Sequence, residues 1–184
     1  MLKINEKVIY PGYGVAVIEE EVDRVVAGNT VKFFKLRFLY RDMSVFVPIN
    51  NVDHVSIRYL SSLEDIKSAL NELRVNPDNK LKNFDFTPSG WNKRNKEYQL
   101  KIESSSIVEL AKVYRDLMFV SKKKELSFGE KSLLNTTEDL IAQEIEVVTG
   151  KERDSILSEI RSPFNEYVAF SVHQSASKQT VSSL

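Results

Sequence analysis

Along the first sixty residues, apolar and polar positions alternate in twos. Phe34, Leu36 and Phe38 share one side of a run from Val31 to Leu39, with Lys35 and Arg37 on the other. Met43, Val45 and Val47 alternate with Ser44 and Phe46, and Val55, Ile57 and Tyr59 with His54, Ser56 and Arg58. Gly14 to Glu21 and Lys7 to Tyr10 supply two further β-rich runs. Turn residues at Pro11-Gly12, Gly28-Asn29, Arg41-Asp42 and Pro48 to Asn51 separate them. Five short strands in this space predict a small, strongly bent antiparallel sheet or barrel.

From Ser61 onward the period lengthens to 3.6. Ser61 and Glu64 read as a capping box opening a helix from Leu63 to Arg74. Ser106 and Glu109 open another, with Ile107, Leu110, Ala111, Tyr114 and Leu117 on one stripe. Ser127 and Glu130 open a third, with Leu133, Thr137, Leu140, Ile141 and Ile145 inward, and Gly150 ends it. Ile156, Leu157 and Ile160 mark a short last helix to about Arg161. The expected class is α+β: a sheet domain over 1–60, a helical domain over 61–161 with a linker near 75–90, and a mobile tail over 162–184. The tail holds six serines in 23 residues and no period. The linker, Val75 to Gly90, carries three Asn, two Asp and two Pro.

Composition removes several chemistries. With no cysteine there are no disulfides, thiol nucleophiles or Cys-based zinc sites, and His54 and His173 are too far apart for a local metal motif. No metal or cofactor is expected. No run reaches the roughly 18 apolar residues of a spanning helix, and the first residues form no apolar signal core, so a cytoplasmic protein is expected. Gly129-Glu130-Lys131-Ser132 resembles the end of a phosphate loop but lacks the upstream glycine and reads as a helix cap. Tyr10-Pro11-Gly12-Tyr13-Gly14 has no helix after it and reads as a β-turn, and Glu19-Glu20-Glu21 reads as a solvated strand edge. No nucleophile–base pair can be named, so no enzyme is expected.

The 26 basic and 26 acidic residues cancel, yet their distribution does not. Residues 80–131 hold twelve Lys/Arg against seven Asp/Glu, and residues 132–161 three against seven. Trp91, the only tryptophan, stands past the linker with Lys93, Arg94 and Lys96 close behind. Trp91, Asn95 and Tyr98 fall on one helical face. An aromatic wedge among cations suits a distorted duplex: cations hold phosphates while the ring replaces a lost base stack. Lys122-Lys123-Lys124 would add phosphate contacts. The same residues also fit a core tryptophan and a solvated interhelical lysine run, and the pattern alone leaves both readings open.

The order Tyr10-Pro11-x-x-Gly14, Val45-x-Val47-Pro48, Trp91-x-x-Arg94, Arg115-Asp116-Leu117 and Leu126-Ser127-x-Gly129-Glu130-Lys131 resembles the CarD/CdnL family of bacterial transcription regulators over about residues 2–160. Transcription-repair coupling factor carries a module similar to the N-terminal part, but helicase motifs are absent here. The resemblance implies a Tudor-like N-terminal domain that binds the β subunit of RNA polymerase. It also implies a helical domain that touches promoter DNA without strict sequence choice, with a tryptophan wedged at the upstream edge of the melted bubble. Trp91 matches the wedge, Lys93, Arg94, Lys96 and Lys131 match basic DNA-contacting positions, and Arg24 matches a polymerase-contacting arginine. Where relatives can carry a second arginine before Val-Pro, this chain has Phe46, which makes that contact apolar or removes it. A cytoplasmic monomer reaching the nucleoid through polymerase is the expectation.

Two other classes stay open at this stage. A Tudor-like sheet could read a methylated peptide through a cage of Tyr10, Tyr13 and Phe46. The chain could also be a polymerase- or peptide-binding module without DNA activity.

Overall fold

The computed structural model describes residues 2–75, 85 and 87–176. Five strands, β1 (Lys7–Tyr10), β2 (Gly14–Val26), β3 (Asn29–Phe38), β4 (Ser44–Pro48) and β5 (Arg58–Tyr59), form one antiparallel sheet in the order β4-β3-β2-β1-β5. β4 and β5 stand at opposite edges, so the sheet is open. The alternation read from the sequence holds where it matters: Phe34, Leu36 and Phe38 are buried with Val8, Ala16, Ile18 and Val47 in a core on one face. The β2–β3 hairpin runs out beyond this core and turns at Ala27 and Gly28, both with positive φ, as a primed turn requires.

One strand expectation needs correction. The run from Val55 is a strand only at Arg58 and Tyr59, and His54 sits exposed in a turn. Local bonds there take the backbone first: Val55 N–H donates to the Asn51 carbonyl and Ile57 N–H to that of Val52. Glu19-Glu20-Glu21 does lie on an edge, with only β3 beside it and Glu20 and Glu21 exposed. β2 is interior up to Val17, and a bulge at Glu19 lets its carboxylate receive Lys35 and Arg37 from β3.

The helical half consists of α1 (Leu63–Glu72), α2 (Pro88–Glu103), α3 (Ile107–Lys123), α4 (Phe128–Thr149) and α5 (Arg153–Ala176). α1 is capped one residue later than expected, by Ser62 with Asp65. Ser106 and Ser127 cap α3 and α4 as read, and Gly150 closes α4 in the left-handed conformation. Ile107, Leu110, Tyr114, Leu117, Ile141 and Ile145 form the centre of one core shared by all five helices. Arg115, 7% exposed, ties α3 to the end of α1 through the Glu72 carboxylate and also contacts Asp116 at 3.1 Å. Most of the predicted linker lies outside the described residues, and its last three, Pro88 to Gly90, already belong to α2.

The end of the last helix is the larger correction; of the expected tail over 162–184, residues 177–184 lie outside the described residues. α5 does not stop at Arg161 but continues to Ala176, because Phe164 extends the buried ridge of Ile156 and Ile160 and meets Tyr114 edge-on at 5.7 Å. Pro163 offers no N–H to the Glu159 carbonyl, and the Ser162 hydroxyl donates to it instead at 3.0 Å. Burying one phenyl ring contributes about 2 kcal/mol, which offsets most of the roughly 3 kcal/mol that a proline costs inside a helix.

Sheet and helices meet at the N-terminal end of β2. The carboxylate of Glu144 on α4 accepts two bonds from Arg58, at 2.6 and 2.9 Å, and one from the Ser61 N–H at 2.8 Å. Arg58 also donates to the Ser105 carbonyl at 2.6 Å, and Ser105 adopts φ +58° to present it. Beside this pair Gln143 reaches the N–H of Val15, and the backbone of Gly14 lies so close to Gln143 and Leu140 that a side chain would collide. Arg161, Arg153 and Arg58 take the carboxylates of Glu138, Asp139, Glu146 and Glu144, so the acidic stretch is absorbed by the fold.

Replacing Glu144 by alanine leaves a guanidinium largely enclosed without its partner. Glu144→Ala is expected to lower the unfolding free energy by about 3 kcal/mol. A urea midpoint matching wild type would refute that.

Candidate nucleic-acid interface

α2 begins with Thr87, whose hydroxyl accepts the Gly90 N–H at 3.1 Å, and Pro88, whose fixed φ suits the first turn. Trp91 follows one turn in and is half-buried, packed against the helical core. Its ring lies beside Gly129 in the first turn of α4; a β-carbon there would meet the indole Cζ2 at 3.5 Å. The face shared with Asn95 and Tyr98 descends into the protein: Tyr98 is buried, and burial pushes its phenol well above the usual range. The indole stands at the upper end of that face, neither sealed nor free.

The cations around it divide into two groups. Lys93 and Lys96 are exposed along α2, and Lys122 and Lys123 are exposed at the end of α3. Arg94, by contrast, turns inward with 16% of its side chain exposed. It donates to the Asp85 carbonyl and lies 3.9 Å from Glu130. Lys124 donates to the same carboxylate at 2.5 Å, and Ser127 N–H at 2.8 Å. Burial pushes the Glu130 carboxyl up, but the bonds from Lys124 and Ser127 outweigh it and hold it below the ordinary range. Lys131 projects from α4 half-exposed and meets the exposed Glu125 at 2.9 Å, a solvated pair that a phosphate can replace.

Of the five candidate DNA-contacting residues, Trp91, Lys93, Lys96 and Lys131 are therefore at least partly open to solvent. Arg94 braces the loop before α2 and the start of α4. Sequence reasoning saw Glu130 only as a helix cap. Its second role, neutralising Arg94 of α2 and Lys124 at the end of α3, joins three elements. Phe128, the first residue of α4, passed unnoticed although it is strongly exposed.

The sheet carries a second surface. The ladder pairs Arg24 with Val31 and Phe46 with Lys35, which puts both on the face opposite the core. The Arg24 guanidinium rests 3.5 Å from the centre of the Phe46 ring. Thus the arginine and the phenylalanine singled out in the sequence come together. The aromatic cage does not: Tyr10 and Tyr13 cluster with Phe38 on the other side, at 5.4 to 5.7 Å, while Phe46 is with Arg24. A methylammonium needs converging rings, and Tyr10, Tyr13 and Phe46 do not converge.

Residues 2–61 match the family model described as the CarD-like/TRCF RID domain, and residues 81–161 the one described as CarD, C-terminal domain. A Bacillus subtilis (strain 168) protein named "Putative transcription factor YdeB" is 25% identical over 158 residues, covering 86% of this chain and 99% of that relative. The part of α5 after Arg161 lies outside both matched ranges.

Because the Glu130 carboxyl is held down in the fold, its contribution is fully present well above the ordinary pKa of 4.5 and fades as pH falls through that value toward the lowered one. Glu130→Gln should be clearly less stable than wild type at neutral pH, the gap narrowing in acid. Urea titrations across that range check this; a gap that stays constant with pH would refute it.

Proposed function

The chain joins a CarD-like/TRCF RID domain to a CarD C-terminal domain and so belongs to the CarD family of transcription regulators, and from this premise we propose that it grips RNA polymerase with its sheet and promoter DNA with its helices. The observation that carries the DNA half is Trp91, a ring half-exposed beside Gly129 with Lys93 and Lys96 next to it. A protein that binds closed and melted promoter equally shifts nothing, so the ring must gain more from the melted form. Stacking on an unpaired base is worth about 1–3 kcal/mol, whereas entry into intact duplex must first unstack a step. Each 1.4 kcal/mol of that preference multiplies the open fraction about tenfold.

Phosphate contacts from Lys93, Lys96 and Lys131 would give isolated DNA binding a log–log salt slope of about −3 and little sequence preference. Such weak binding suffices when the sheet holds the protein on polymerase and raises the local concentration at the promoter. That contact, with the β subunit, is made by the Arg24–Phe46 pair exposed on the outer face. The protein acts as a cytoplasmic monomer and meets the nucleoid through polymerase.

Trp91→Ala is expected to shorten open-complex lifetime about tenfold while leaving polymerase capture intact, at a cost of about 1 kcal/mol in stability from lost packing. Unchanged lifetime with normal capture would instead leave an interaction module without DNA activity. Arg24→Glu should abolish capture of the β subunit in a pull-down, since it reverses the charge and unstacks Phe46. Normal capture would move the polymerase contact elsewhere.

A further inference from the structure

Phe128 is 89% exposed, more than any other large apolar side chain among the described residues; the next aromatic ring, Tyr59, is 50% exposed. It opens α4 between Ser127, which caps the helix, and Gly129, which has no side chain to shield it. Gly129 is also the residue beside which the Trp91 indole lies. Two aromatic side chains thus flank one α-carbon, one leaning into the core and the other standing in solvent. Lys131 follows Phe128 one helical turn later, and the Lys122 to Lys124 run precedes it. The fold draws no packing from this ring, and an exposed phenyl gains only when another flat apolar surface covers it.

We infer that Phe128 is a second base-stacking residue, which covers the face of an unpaired nucleotide of the melted strand next to the junction that Trp91 wedges. The inference rests on the reading of the Trp91 surface as DNA-contacting. Cations beside an apolar ring fit a polyanion with exposed π-faces: lysines follow the backbone and the ring takes a base of any sequence. A hydrophobic protein partner would match the ring but not the exposed Lys122 or Lys131, whose solvated pair with Glu125 a phosphate can replace. Two rings in place of one also separate two tasks, closing off the end of the duplex and holding the displaced base.

The test uses full-length wild type, Phe128→Ala, Phe128→Trp and Trp91→Ala with bacterial RNA polymerase and a promoter fragment. Open-complex decay is timed after a polyanion challenge. It is repeated on fragments with an abasic site at successive unpaired positions near the upstream edge. Phe128→Ala should shorten the lifetime about fivefold, and Phe128→Trp should retain it. One abasic position should shorten the wild-type lifetime by a similar factor and add nothing to Phe128→Ala. If Trp91→Ala shortens the lifetime but Phe128→Ala does not, the second stacking residue is ruled out while the wedge stands. If neither variant matters, the wedge reading fails and this inference with it. If Phe128→Ala weakens polymerase capture in the absence of DNA, the ring is a protein contact and the inference is overturned.

Discussion

Glu144 holds the two surfaces of this protein in a single frame. Its carboxylate, almost wholly withdrawn from solvent, receives Arg58 from the last strand and the Ser61 N–H that leads into the first helix. A buried ion pair carries a heavy desolvation cost, so its presence contributes direction more than raw stability. Here the geometry is saturated: the guanidinium also bonds to Ser105, and Gly14 removes the side chain that would keep the sheet off α4. A sheet hung on a flexible strand end could place its partner anywhere within reach. Fixed this way, the Arg24–Phe46 pair and the Trp91 edge keep one spacing, and if both surfaces bind as proposed, that spacing decides whether the two contacts reinforce each other.

The period-two and period-3.6 stretches made most of the fold legible, because burial of Phe34, Leu36 and Phe38 or of Ile141 and Ile145 leaves a local signature. Features that depend on distant partners were not legible. Ser61 looked like a cap until Glu144, 83 residues away, claimed its N–H and the cap moved to Ser62. The last helix looked complete at about Arg161 until Tyr114 supplied a wall for Phe164. Within the candidate site, Trp91 and the exposed lysines could be named from sequence, whereas the inward turn of Arg94 could not, since Glu130 lies on another helix.

Charge counting shows the same limit. The middle of the chain is basic by composition, yet Arg94, Lys101, Lys112, Arg115 and Lys124 are all engaged with carboxylates of the fold itself. Lys131 pairs with Glu125 as well, so the positive count of this stretch overstates the charge that the surface presents. The motifs shared with the family divide likewise. Arg115-Asp116-Leu117 and the Ser127–Glu130 cap build the frame, while Trp91 is left half-buried at the rim.

The single tryptophan has one more consequence. The sheet domain contains tyrosines and phenylalanines but no indole, and neither does the rest of the helical half. Light absorbed at the red edge, beyond tyrosine, is therefore emitted from one place only, the rim beside Gly129. Quenching or a colour change of that emission would report anything that covers this rim, so the chain carries its own unlabelled fluorophore at the proposed contact.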